Sequence, residues 1–180
     1  MNEVRLRELI SQGEGLSIEF KESHTQLNRD VYESVCSFLN RRGGDLILGV
    51  RDDGEILGVE PTSSGRMKQD FANAVNNPQK LNPAFYLSLH EIEIAGKTVL
   101  HTYVPESSMV HRCNGIIYDR NEDADIDITD NTQLVAALYQ RKQSTYSENK
   151  IFPHVSINDL KSDLIDRVRK MAGLQQADHP

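Results

Sequence analysis

The chain has 180 residues, of which 38% are hydrophobic and 26% are charged. This length and composition predict one ordinary hydrophobic core that needs neither disulfides nor a structural metal. The 20 basic and 27 acidic residues give a net charge of −7, and both halves of the chain are acidic. A nucleic-acid site would therefore have to be a local basic patch on an acidic body.

Three sequence features bear on location. No apolar run approaches the about 20 residues that a membrane-spanning helix needs, so we expect no membrane insertion. The first residues contain no apolar secretory segment. Cys36 and Cys113 are expected to be free thiols of a reducing compartment. Together these features predict a cytoplasmic protein.

Apolar spacing and turn residues predict an alternation of helices and strands. The predicted helices are 4–10, 28 or 29 to 39, 67–75, a helix beginning at 129–131 and reaching 138, and a last helix from 160 to about 171. The predicted strands are 16–20, 46–50, 56–59, 85–94 with a bulge, 99–104 and 115–118. This order predicts an α+β fold in which helices pack on a mixed or antiparallel sheet.

Two of these strands have distinct patterns. Residues 46–50 are continuously apolar, which predicts a central strand covered on both faces. Residues 16–20 alternate instead, which predicts a strand with one wet face that carries Glu19 and Lys21. The acidic stretch 119–130 is predicted to be a solvated loop that leads into a helix.

Two linked motifs resemble the Schlafen/AlbA-type domain. The first contains Glu14 and Glu19-Phe20-Lys21; the second follows a helix that ends in a Gly-Gly pair. The second motif reads, in order, Gly43-Gly44, Leu46-Ile47-Leu48-Gly49-Val50 and Asp52-Asp53-Gly54. The resemblance covers roughly residues 13–141. We therefore predict a Schlafen/AlbA-like domain at 1–145 and a helical extension at 146–180 that leads to absent downstream domains.

The resemblance implies two activities. In bacteria, domains of this kind are typically N-terminal modules of proteins described as transcriptional regulators. In the animal Schlafens, the matching carboxylates form a metal-dependent ribonuclease site. On this chain the matching residues are Glu14, Glu19 and Asp52, with Asp53 as the alternate, and carboxylates of this kind hold Mg²⁺ or Mn²⁺.

A simpler interpretation of the same residues stays open. Glu19 and Lys21 would form a surface ion pair worth about 0 to 1 kcal/mol. Asp52 and Asp53 would then only build a turn, because Asp-Gly favours tight turns.

Five cations are the candidate phosphate contacts. Arg41 and Arg42 follow a predicted helix end, where a cation also interacts favourably with the helix dipole. We predict that the candidates form one shared basic surface; they are Lys21, Arg41, Arg42, Arg51 and Arg120.

The sequence thus leaves three functional hypotheses. The first is a nucleic-acid binding module, in the first place for DNA, that acts as a homodimer in a transcriptional regulator. The second is a metal-dependent ribonuclease that uses Glu14, Glu19 and Asp52 with Mg²⁺ or Mn²⁺. The third is an oligomerisation or protein-interaction platform, which the net charge of −7 permits.

Overall fold

The computed structural model describes residues 2–121, 124–143, 167, 170 and 171. The chain divides into two compact units, Met1–Ser144 and Thr145–Pro180. The helices of the first unit are α1 (Glu3–Gln12), α2 (Asp30–Asn40), α3 (Pro61–Val75) and α4 (Thr132–Gln143). Its strands are β1 (Ile18–Lys21), β2 (Gly44–Leu48), β3 (Leu81–Asn82), β4 (His90–Ile94), β5 (Lys97–Val104), β6 (Arg112–Cys113), β7 (Tyr118–Arg120) and β8 (Asp125–Asp127).

The main sheet has four strands in the order β1-β2-β5-β4. β1 and β2 are parallel, whereas β2–β5 and β4–β5 are antiparallel. Two short antiparallel pairs, β3–β6 and β7–β8, lie outside this sheet. The predicted α+β fold with a mixed sheet is confirmed.

The sheet is covered by apolar residues on both faces. On one face, Leu46 and Leu48 of β2 pack in a cluster with residues of α2 and α3. On the other face, Ile47 packs in a second cluster that includes Leu6 and Leu9 of α1. Successive side chains of a strand point to opposite faces, so a strand buried on both sides is apolar throughout. The predicted central position of this strand is confirmed.

Two glycines in close contact with neighbouring atoms connect α2 to β2. Gly43 has a φ of +77°, and a Cβ added there would lie 2.6 Å from the carbonyl oxygen of Val104. At Gly44 an added Cβ would lie 2.3 Å from the ring of Phe38. Both positions therefore require glycine, which permits the direct passage from helix to central strand.

Residues 56–59 do not form the predicted strand. The amides of Leu57 and Gly58 both donate to the carbonyl of Gly49, whereas the amide of Val59 donates to Thr98 on the far side. Only isolated bridges result, Val50–Ile56 and Val59–Thr98. The segment thus crosses between two strands instead of pairing along one.

The predicted strand 85–94 is only partly present, because β4 begins at His90. Phe85, Leu87 and Leu89 contact the core while the residues between them are exposed. An extended segment that packs on a core gives the same alternation as a paired strand, so the sequence pattern does not distinguish the two.

Two further predicted elements differ from the structure or lie outside the described residues. The predicted strand 115–118 is shifted in the structure, where β7 covers Tyr118–Arg120. The predicted last helix lies outside the described residues, apart from Arg167, Lys170 and Met171, which are helical. Among the helices of the described residues, none combines the length and apolar character needed to cross a membrane.

The buried thiols give a first prediction. Cys36 and Cys113 are free and buried, and burial raises the pKa of Cys36 to about 12 and that of Cys113 to about 11. The reactive species is the thiolate, so we expect neither residue to react with a chromogenic disulfide reagent in the native protein at about pH 8. Both should react within minutes in urea. Equal rates in the native and unfolded protein would contradict the described core.

Candidate functional site

The polar face of β1 is covered, not wet. Glu19 is 9% exposed, and its carboxylate accepts hydrogen bonds from Lys21 and from Arg120. Lys21 Nζ also lies 3.5 Å from Oδ2 of Asp30, the first residue of α2. The predicted exposure of this face is therefore wrong, because α2 and the β7–β8 pair supply partners for residues that the strand alone would leave in water.

Arg120 is the central cation of this site and is 4% exposed. Its Nε and Nη2 donate to the carbonyl of Gly15 at 2.9 and 2.8 Å, and Nη2 also donates to Ile18 and to Glu19. Its Nη1 donates to Asp125 Oδ1 at 2.7 Å, and its guanidinium lies 4.8 Å from the ring centre of Phe38. These contacts join β7 to β1 and to the turn before it.

This geometry bears on the predicted phosphate contact by Arg120. Its donors point at protein oxygens and its side chain is buried, so it presents no exposed guanidinium face to a polyanion. Burial alone would lower the pKa of this side chain, but the charges of Glu19 and Asp125 and their hydrogen bonds outweigh that effect and raise it. The nucleic-acid role remains a prediction, whereas the observed contacts are those of a structural cation.

Asp125 is the second anion of the cluster. Besides Arg120, it accepts hydrogen bonds from the hydroxyls of Ser34, at 2.6 Å, and Ser37. Its side chain is 12% exposed, so this part of the acidic stretch is not the predicted solvated loop. The sequence alone did not predict that Asp125 meets Ser34 and Ser37. A usable signal existed, because Ser34 and Ser37 lie next to Val35 and Phe38 on the apolar side of α2, where a hydroxyl needs a partner.

Glu14 lies in the turn before β1, where its Oε1 accepts a hydrogen bond from the amide of Phe20 at 2.8 Å. Glu14 is exposed, but partial desolvation of its carboxyl raises the pKa, and the charges of Glu19 and Asp52 add to the increase. The hydrogen bond from Phe20 opposes it. The charges of the other two predicted carboxylates thus act on the Glu14 carboxyl. Asp52 itself is exposed in the turn after β2.

The predicted Mg²⁺ or Mn²⁺ site can be tested against this donor set. A divalent metal needs several oxygen ligands that converge on one point. Both oxygens of Glu19 accept from cations, and the described residues contain no group of three His, Cys, Asp or Glu side chains that could hold a metal ion. Glu14, Glu19 and Asp52 therefore do not fit a divalent metal ion in this arrangement.

The remaining predicted cations lie at opposite ends of β2. Arg41 and Arg42 precede this strand, and Arg51 follows it. Five residues of strand span about 16 Å. Arg51 is exposed and pairs with Glu22 and Glu55. The five predicted cations are thus not gathered on one surface.

Arg41 instead lies next to the last turn of α4, and Arg42 follows Arg41 in the chain. Arg41 Nη1 and Arg141 Nη2 lie 3.3 and 3.1 Å from Asp119 Oδ2, and Arg141 also donates to the carbonyl of Asn40. Lys142 is buried; its Nζ donates to Leu39 at 3.1 Å and lies 3.2 Å from Glu106. We call the set Arg41, Arg42, Arg141 and Lys142 the basic end.

The sequence contained a signal for the two missed cations of the basic end. Arg141 and Lys142 follow the predicted helix, which reaches residue 138, and a cation just after a helix interacts favourably with the helix dipole. In the structure they lie in the last turn of α4. The same two residues also contact the end of α2. The sequence could not show this, because the contact depends on packing between segments that are far apart in the chain.

The sequence of this domain matches the model of a known protein family. The model named Schlafen, AlbA_2 matches residues 14–130, which is well over half of the chain. The chain belongs to the Schlafen AlbA_2 family. The match begins at Glu14 and extends beyond Asp125, so it includes the buried Glu19–Arg120–Asp125 cluster. The resemblance inferred from the two sequence motifs is confirmed.

Two solved structures were compared with this Schlafen AlbA_2 chain. The DIP2311 protein from Corynebacterium diphtheriae has a TM-score of 0.56 and 17% identity over 93% of this chain and 37% of that chain, which supports the fold alone. This chain therefore spans little more than a third of that protein. The N-terminal domain of a RecG-related protein from Nitrosomonas europaea has a TM-score of 0.48 and 24% identity over 65% of this chain and 86% of that domain. No curated protein matches the chain.

The buried cluster generates a second prediction. Replacing Glu19 with alanine leaves Arg120 and Lys21 without their shared anion, and breaking a buried ion pair in this way costs about 3 kcal/mol or more. We expect the free energy of unfolding, measured by urea titration, to fall by that amount. The matched control is Glu22→Ala, which removes an exposed glutamate paired with Arg51 and should cost less than about 1 kcal/mol.

The same variant separates the structural role from the catalytic one. A Glu19→Ala protein as stable as the wild type, but without an Mn²⁺-dependent RNA cleavage that the wild type possesses, would assign this carboxylate to catalysis.

Proposed function

We propose that this domain binds nucleic acid, in the first place DNA, as a module of a transcriptional regulator. Membership in the Schlafen AlbA_2 family associates the chain with nucleic-acid-related function, and this is the observation that carries the proposal. We propose in addition that the nucleic acid is DNA and that the domain serves transcriptional regulation. A homodimer, a cytoplasmic location and further C-terminal domains remain predictions.

Lys142 is buried, so we assign phosphate contact to the other three cations of the basic end. The basic end contains four cations, of which Arg41 and Arg141 contact Asp119 and Lys142 contacts Glu106. We expect the basic end to be locally positive although the chain carries −7. Arg42 is exposed, and the side chains of Arg41 and Arg141 are about one-third exposed, at 34% and 33%.

The other predicted contacts are less suited to this role. Lys21 has an 18% exposed side chain and is paired with Glu19 and Asp30. Arg51 is exposed but lies between two glutamates at the other end of β2. Arg120 is buried. We therefore leave these three residues out of the proposed surface.

Arg42→Ala tests the proposal directly, because its side chain is exposed and its loss should not disturb the fold. We expect fluorescence anisotropy with a labelled DNA duplex to show an affinity that falls steeply between about 50 and 200 mM salt. Removing one phosphate contact should weaken binding about equally for unrelated sequences and should reduce the slope of log affinity against log salt by about 1.

Arg7→Ala is the matched control. Arg7 is an exposed arginine of α1 and pairs with Glu3. The helix α1 packs on the face of the sheet opposite to α2. Its removal changes the net charge by the same amount but should leave the salt slope unchanged. Binding that does not vary with salt, or equal losses in the two variants, would contradict the proposal.

A further inference from the structure

A polar groove opens at the other end of α2, away from the basic end. It has a volume of about 890 Å³, within the range of roughly 300 to 1,000 Å³ that is usual for small-molecule sites. Its walls come from the β1–α2 loop, the first turn of α2, the exposed side of α3, and the residues next to β3 and β6. We call it the α2–α3 groove.

The charges of its walls are predominantly positive. Arg29, Arg66 and Lys80 line the groove, and among the described residues that line it Asp70 is the one carboxylate. Arg29 also lies 3.5 Å from Glu33. A positive cavity on a chain of charge −7 concentrates anions from solution, because its walls focus the local field.

Arg66 lines the groove, and a hydrogen bond holds its side chain in place. It belongs to α3, and its Nη2 donates to the carbonyl of Thr25 in the β1–α2 loop at 3.1 Å. This hydrogen bond positions the guanidinium, which has five N–H donors in total. The side chain thus retains donors suited to a planar, bidentate contact with a phosphate.

An aromatic ring forms part of the same wall. Tyr32 stacks on Phe71 with ring centres 6.3 Å apart, and Lys80 Nζ lies 6.0 Å from the centre of the Tyr32 ring. Aromatic side chains bind nucleobases by stacking, and a cation near the ring adds to this contact.

Primary amides make up much of the remaining lining. Each carries both donors and an acceptor, which is the combination that hydrogen-bonds with the edge of a nucleobase. The amide residues that line the groove are Gln26, Asn73, Asn77 and Asn114.

We propose that the α2–α3 groove binds a nucleoside 5′-phosphate, with its phosphate groups on Arg29, Arg66 and Lys80 and its base against Tyr32. The ligand is either a free nucleotide or the 5′-terminal nucleotide of a strand, since both present the same chemistry. A duplex interior does not fit, because its phosphates lie on a convex surface and its bases are stacked inside.

The α2–α3 groove is separate from the basic end, and nucleotide binding there would be an activity additional to the proposed function. Arg29 and Tyr32 lie at the start of α2, whereas Arg41 and Arg42 follow its end. Eleven helical residues span about 16 Å. The two positive regions can therefore be tested independently by substitution.

The test uses ADP that carries a fluorescent group on its ribose, titrated with the whole chain. We expect saturable binding that Arg66→Ala and Lys80→Ala each weaken roughly tenfold, as the loss of a charge-assisted hydrogen bond predicts. Asp70→Asn should tighten binding by about threefold or more, because it removes a negative charge from the wall. A purely structural role of these residues would not produce a gain.

Lys68→Ala is the matched control. Lys68 also belongs to α3 but does not line the groove, and it pairs with Glu91 at 2.8 Å. It should leave the affinity for the labelled ADP within about twofold of the wild type, since a cation outside the groove lies in high-dielectric solvent.

Competition distinguishes the two ligand sources. Displacement of labelled ADP by an oligonucleotide with a 5′-phosphate, but not by its 5′-hydroxyl counterpart, supports a strand end as the ligand. Displacement by unlabelled ADP without displacement by either oligonucleotide supports a free nucleotide.

The proposal is overturned if labelled ADP does not bind saturably, or if Arg66→Ala, Lys80→Ala and Asp70→Asn all bind it like the wild type. Its failure is distinguishable from failure of the proposed function. Arg42→Ala should affect duplex binding and not ADP binding, whereas Arg66→Ala should affect ADP binding at unchanged duplex affinity.

Discussion

The buried positive charge of Arg120 must be balanced by nearby anions and carbonyl oxygens, and this requirement constrains how the domain packs around β1. Arg120 cannot be deprotonated, and a cation removed from water is tolerated only where anions and carbonyl oxygens surround it. Here these are Glu19, Asp125 and the carbonyls of Gly15 and Ile18. The requirement fixes the β7–β8 pair against β1.

The same requirement changes how the family's carboxylates are interpreted on this chain. Glu19 occupies a motif position for which the resemblance implies a metal ligand, but its oxygens accept from Arg120 and Lys21. A carboxylate that neutralises two cations is a poor ligand for a third unless they move. The observed network therefore supports a structural role for Glu19.

The features that the sequence predicted correctly are those that depend on local pattern. The central strand at Leu46–Leu48 was found because burial on both faces makes a strand apolar throughout. The burial of Glu19 could not be found in this way, because its partner Arg120 is 101 positions later in the chain. Residues 56–59 were predicted as a strand for a related reason: their apolar character was local, but their hydrogen bonds go to two different neighbours.

A double-mutant cycle between Glu19 and Arg120 is the most direct measurement of the central claim. It compares the free energies of unfolding of Glu19→Gln, Arg120→Met and the double variant with that of the wild type. A buried, mutually compensating pair predicts a coupling energy of about 2 kcal/mol or more, with the double variant less destabilised than the sum of the single variants. Additive effects, with a coupling below about 0.5 kcal/mol, would contradict the account.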